Sequence, residues 1–218
     1  MTKQLRIETI KKIIKTTFGL FVFSFGEYLT IMGNIGLTPW DSLSMGISYY
    51  VPFTFGQVHV ASAIVIIFID LAMKEKIGIG TVLDALLVGT FVDMWTSVIP
   101  FKGTTAVIPG IALVIAGLFI MAIGQVFYMS GGLSCGPRDT LLVAVGKRLS
   151  KLPIGLVDIL MKIALVLISF VIGGPIGFGT LLAMLGMGTC MQIVYGLFKF
   201  DPRNIEQESI ITSIEKLM

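Results

Sequence analysis

Apolar runs of about twenty residues alternate along the chain with short stretches of glycine, proline and charge, a pattern that predicts helices rather than strands. The runs fall at about 13 to 32, 56 to 73, 79 to 99, 108 to 129, 154 to 173 and 177 to 198. Each is near the roughly 20 residues that a bilayer-spanning helix needs. Two shorter apolar elements, about 39 to 51 and 137 to 149, interrupt the series. A helix of about 13 residues reaches about 20 Å, against a hydrocarbon core of about 30 Å. These two are therefore expected to be re-entrant or to lie at the interface.

The pattern also repeats. "GLFVFSFGE" from Gly19 matches "GLFIMAIGQ" from Gly117, and "PWDSL" from Pro39 matches "PRDTL" from Pro137, at an offset of 98. One residue later in offset, Gly56 meets Gly155, "IGIGT" from Ile77 meets "IGFGT" from Ile176, and Gly89-Thr90 meets Gly188-Thr189. The expectation is two copies of one unit, about 12–100 and 110–200, followed by a tail at about 199–218. Each copy holds three spanning helices and one short helix.

Composition makes this a membrane chain. Its 218 residues are 55% hydrophobic and 13% charged, with a mean hydropathy of +0.94. Soluble domains carry about 25% charged residues, and so few charges cannot cover a soluble surface. One all-α integral membrane domain is expected, with lipid and a small-molecule solute as partners. The net charge of +3 sits in short clusters without interleaved aromatics, so no nucleic-acid partner is expected. The oligomeric state carries no signal. The first apolar run is too long, and too far behind a basic segment, to read as a cleaved signal peptide. Cys135 and Cys190 lack metal-ligand or disulfide-framework spacing and read as small apolar residues.

The basic clusters orient the spans. If the short elements do not cross, the N-terminal cluster, "KEK" at 74–76, "KRLSK" at 147–151 and "KFDPR" at 199–203 all fall on one side, which the positive-inside rule assigns to the cytoplasm. If they crossed, Lys74 and Lys76 would be exported. Three crossings per unit invert the second copy relative to the first, the inverted-topology layout of many secondary transporters. A multi-pass plasma-membrane protein with both termini cytoplasmic follows as the expectation.

Both short elements begin with Pro-X-Asp. Thr38 reads as an N-cap, Pro39 as the first helical residue, and Asp41 as the position that bonds back to the cap. Gly136-Pro137-Arg138-Asp139 repeats this with glycine as cap. The approaches "GNIGL" and "GGLSC" carry free backbone groups that cannot face lipid and so imply a cavity. Two helix N-termini meeting there would attract an anion. Arg138 could fork onto its carboxylate or phosphate, and Trp40 could offer an aromatic face. Asp41 and Asp139 are either caps, partners of Arg138, or proton or cation sites.

Other polar positions align across the repeat: Glu27 with Gln125, His59 with Asp158, and Asp93 with Gln192. The expected substrate-binding set is Arg138, Trp40, Asp41, Asp139, Glu27 and Gln125. Asp41, Asp139, Asp84 and His59 are candidates for ion or proton coupling, because charges inside a membrane segment are costly and usually face a cavity. Plainer readings stand beside these. Asp158 and Lys162, four apart, suit a salt bridge, and Asp70 with Lys74 suits a helix-end pair. Asp93 suits the outer interface, and His59 suits a solvated position near the outer end of its helix. The 25 glycines suit close helix packing.

No P-loop, HExxH, GxSxG or Cys/His cluster is present, so no enzyme, metal or cofactor is expected. Through "GLTPWDSL", "GLSCGPRDTLL" and "GFGTLLAMLGMG" the chain resembles the YczE/YyaS/YitT group of bacterial integral membrane proteins over nearly its whole length. The resemblance implies a bacterial plasma membrane, and neither substrate nor catalytic residues. The expected function is a small secondary transporter or permease for a small anionic solute, with its site between the two helix starts. The alternatives are a non-transporting accessory or regulatory membrane protein, or a channel.

Overall fold

The computed structural model describes residues 2–202, 205 and 207–217. Arg203 of the last basic cluster, and Asn204, Glu206 and Met218 of the expected tail, lie outside them. The described residues are helical throughout, in the order α1 (Thr2–Gly33), α2 (Pro39–Ser48), α3 (Phe55–Ala72), α4 (Ile79–Val98), α5 (Val107–Met129), α6 (Pro137–Arg148), α7 (Ile154–Val171), α8 (Phe178–Phe198) and α9 (Ile210–Leu217). The two short helices start on their prolines, as the motif predicts. At 10 and 12 residues they reach only about 15 and 18 Å.

Among the described residues, five helices are long and apolar enough to cross a membrane: α3, α4, α5, α7 and α8. Helix α1 is longer than any of them but less apolar, because it carries Lys15, Glu27 and buried Thr16, Ser24 and Thr30. It begins at Thr2 rather than near 13, and its first turns support α9, which docks against them.

The longest seam joins α1 to α5, which run antiparallel. Gly19, Gly26 and Gly33, seven apart, meet Gly124, Gly117 and Gly110 in reverse order. A Cβ on Gly26 would stand 2.5 Å from the Gly117 carbonyl oxygen, and one on Gly117 would stand 2.6 Å from that of Gly26. Small residues let helices approach where no hydrophobic effect drives them together.

Around this seam the chain halves interleave. Helix α4 packs on α1 and α8 on α5, while α2 lies against α7 and α3 against α6. The irregular approaches are held by backbone bonds: Gly179 N donates to the Ile35 carbonyl at 2.8 Å, and Gly80 N to the Leu133 carbonyl at 2.7 Å. These bonds satisfy groups that lipid could not.

Candidate functional site

The start of α2 is built by its cap. Asp41 N–H donates to Thr38 Oγ1 at 3.4 Å, and Thr38 Oγ1 donates to Asp41 Oδ2 at 2.6 Å, with Pro39 in the first turn. The start of α6 has no side-chain cap. A Cβ on Gly136 would stand 3.0 Å from the Asp84 carboxylate, so that side chain would have to shift to admit one. Tyr128 stands in for the cap, accepting from Gly136 N at 3.0 Å while its hydroxyl donates to Asp139 Oδ2 at 3.2 Å.

The two starts meet side by side. Arg138 Nη1 donates to Asp41 Oδ1 at 3.1 Å, and the guanidinium carbon lies 5.4 Å from the Trp40 ring centre. The two positions that the repeat aligns, 40 and 138, are thus in mutual contact. Arg138 Nη2 lies 3.3 Å from His59 Nδ1 and 3.4 Å from Nε2. His59 Nδ1 in turn stands 3.2 Å from Glu27 Oε1. That pair is close but out of hydrogen-bonding alignment, and both oxygens of the buried Glu27 carboxylate lack a hydrogen-bond partner.

These groups surround a cavity of about 210 Å³. Arg138, Trp40, Asp41, Asp139, Glu27 and Gln125, the expected binding set, all line it. So do Asp84 and His59. The wall joins α1, α2, α3 and α4 to α5, α6, α7 and α8, and Asp139 on it is exposed. Gln125 is buried with its Oε1 unpartnered.

Several plainer expectations change. His59 is not solvated: it is 3% exposed, because Glu27 of α1 and Arg138 of α6 close over α3 at that level, with Phe55 edge-on at 5.8 Å. Asp70 does not pair with Lys74. Helix α3 ends at Ala72, Lys74 turns away in the left-handed region at φ 61°, and the buried Asp70 carboxylate is left without a hydrogen bond. Asp93 also caps α3, accepting from Gly56 N at 2.9 Å and from the Thr54 hydroxyl. Asp158 and Lys162 do pair, at 2.6 Å, yet both also line the cavity.

Sequence reasoning missed Tyr128 and a methionine wall of Met121, Met161, Met184, Met187 and Met191. The spacing of Met184, Met187 and Met191 on one helical face was a readable signal. Tyr128 carried none, since its role depends on the glycine cap eight residues away. Glu27, Asp41 and His59 also offer ligand atoms within 4.8 Å of one another, the spacing of a metal site. Of the three, Arg138 touches Asp41 and His59 and leaves Glu27 without a contact from it.

Residues 10–196 match the Family of unknown function DUF6198. An uncharacterized membrane protein, YczE, of Bacillus subtilis is 29% identical over 185 residues, covering 83% of this chain and 85% of that one. An uncharacterized protein of Haemophilus influenzae is 28% identical over 182 residues, covering 84% and 82%. The uncharacterized protein YyaS of Bacillus subtilis is 27% identical over 180 residues, covering 80% and 88%. No solved structure matches. The resemblance read from the Pro-X-Asp motifs therefore extends along most of the chain, and over 83% of its length the chain is similar to a membrane protein.

Proposed function

The chain belongs to the DUF6198 family, and from that premise we propose that it is a small secondary transporter or permease whose solute binds between the starts of α2 and α6. One observation carries the reading: Arg138 from one short helix reaches Asp41 from the other inside a cavity walled by both halves of the chain. Irregular backbone at depth is tolerated where it lines such a cavity, and transporters place their sites there.

We read the two halves as inverted repeats, and matched geometry supports this. The bonds Gly179 N to Ile35 O and Gly80 N to Leu133 O join positions that the sequence repeat makes equivalent. The left-handed residues also match: Asn34 with Gly132, Gly36 with Ser134, and Lys74 with Gly173. Antiparallel α1 and α5 fit the same reading.

The orientation we propose puts both termini in the cytoplasm of a bacterial plasma membrane. Its support is that basic clusters distant in sequence gather at one end. Lys147 pairs with Glu75 at 2.6 Å, Arg148 reaches the Met73 carbonyl at 3.1 Å, and Lys12, Lys76 and Lys216 share one basin.

An anionic solute, the sequence expectation, would have to compete with Asp41 for Arg138. The test is reconstitution in liposomes with labelled small acids and amines under a pH gradient, comparing wild type with Arg138→Gln and Asp139→Asn. Uptake above empty vesicles that both variants diminish is expected. Uptake equal to empty vesicles across a broad panel would sink the reading.

A further inference from the structure

Five carboxylates line the cavity, those of Glu27, Asp41, Asp84, Asp139 and Asp158, against two fixed cations, Arg138 and Lys162. Both cations are committed. Lys162 holds Asp158 at 2.6 Å, and Arg138 holds Asp41 at 3.1 Å with its other nitrogen against His59. Neither cation makes a direct ion pair with Glu27, Asp84 or Asp139, and the hydrogen bond that Asp139 accepts comes from the neutral Tyr128 hydroxyl.

Glu27 is the most exacting of the three. It is 1% exposed, Asp41 and His59 are its polar neighbours, and neither carboxylate oxygen accepts an aligned hydrogen bond from a donor of the chain. Gln125, its counterpart in the other half, lines the same space with its Oε1 also unpartnered. Buried acceptors of this kind are normally satisfied, and leaving one bare is costly. What the cavity lacks is therefore donors and positive charge. An ammonium group brings both, with three N–H donors and no acceptor.

The rest of the wall is apolar and adaptable. Met121, Met184, Met187 and Met191 face the carboxylates together with Val88 and Leu118. Thioether side chains fit irregular apolar shapes and favour contacts with aromatic groups. A volume of about 210 Å³ lies below the roughly 300–1,000 Å³ of drug-sized sites, so the occupant is small.

We infer that the solute is a small primary amine in its ammonium form with an apolar body, the nitrogen held by Glu27 and the body lying on the methionine wall. The inference rests on the transporter reading and specifies its substrate class. An anion, by contrast, would find both cations already paired with carboxylates of the chain.

The experiment titrates the purified full-length protein at neutral pH with benzylamine, benzyl alcohol and benzoate, three probes of like size and differing charge, by calorimetry. Benzylamine should bind at least about tenfold more tightly than the other two, and Glu27→Gln should remove that preference, as expected for loss of a charged hydrogen bond. If Glu27→Gln does not fold, Gln125→Leu replaces it, with an expected weakening of at least about threefold for benzylamine alone. Benzoate binding more tightly than benzylamine, a preference untouched by either variant, or no benzylamine binding to folded wild type would each overturn the inference. The two readings fail separately. Benzylamine binding without amine counterflow in proteoliposomes defeats transport but keeps the charge preference, whereas uptake of acids with benzoate binding defeats the charge preference alone.

Discussion

The Arg138 guanidinium at the start of α6 lies 3.1 Å from the Asp41 carboxylate at the start of α2, and the Asp41 side chain is only 2% exposed. The contact ties together two helices that begin 98 residues apart in equivalent places of the repeated sequence. It uses the one position within Pro-X-Asp that differs between the copies. Trp40 fills that position in the first copy and forms the face on which Arg138 rests.

Breaking this pair from one side should cost more than removing it. Arg138→Gln leaves Asp41 buried without its counter-charge, and such one-sided losses cost about 3 kcal/mol or more. The double variant Arg138→Gln, Asp41→Asn removes the stranded charge and should recover at least half of that loss. Thermal unfolding of the detergent-purified proteins measures it. A double variant no more stable than Arg138→Gln would mean that the pair is not the link between the helices.

The glycine seam gives a second prediction with an internal control. At Gly26 any side chain meets the Gly117 backbone at 2.5 Å, whereas nothing lies within 4 Å of a Cβ on Gly188. Gly26→Leu should therefore separate α1 from α5, costing at least the roughly 1–3 kcal/mol of overpacking, with loss of the monodisperse peak in size-exclusion chromatography. Gly188→Ala should elute as wild type. Equal behaviour of the two variants would show that the seam tolerates spreading.

The starts of the short helices were legible because local chemistry sets them: Pro39 and Pro137 mark the starts of α2 and α6 to the residue. The cavity wall was largely legible too, since Glu27, Asp84 and Arg138 are too costly in a membrane segment to be incidental. What the sequence hid was depth. His59 reads as solvated until α1 and α6 close over it, and Tyr128 gains its role only through its bonds to Gly136 N–H and Asp139. Helix α9 was also missed, although Ile210, Ile211 and Ile214 have the spacing of an amphipathic turn.

The proposed orientation is testable with cysteines placed at its two ends. In a background of Cys135→Ala and Cys190→Ala, Lys102→Cys should react with a membrane-impermeant maleimide on intact cells. Lys151→Cys should react only after permeabilisation. The reverse pattern, or labelling of both from outside, would invert or discard the proposed orientation.

The C-terminal segment makes a prediction about pH. Glu208 takes ion pairs from Lys12 of α1 and, at 3.0 Å, from Lys216 of α9. Its backbone N–H donates to the Gly132 carbonyl at 2.8 Å, and Gln207 Oε1 accepts from Ser134 N at 2.8 Å. The tail is thus stitched to the approach that leads into α6. Burial alone would push the Glu208 carboxyl up, but the hydrogen bonds and charges of Lys12 and Lys216 outweigh it and hold it below the ordinary glutamate range. A carboxyl depressed on docking stabilises the docked state above its ordinary value, and that contribution is lost as pH falls through the depressed one. Amide exchange over 207–217 should therefore lose protection between about pH 5 and pH 3, beyond the intrinsic pH effect. In Glu208→Gln the tail should exchange up to about fivefold faster at neutral pH, as expected for ion pairs worth no more than about 1 kcal/mol, and show no such acid step. An acid step of equal size in the variant would assign the transition to another group and leave Glu208 no part in holding the tail.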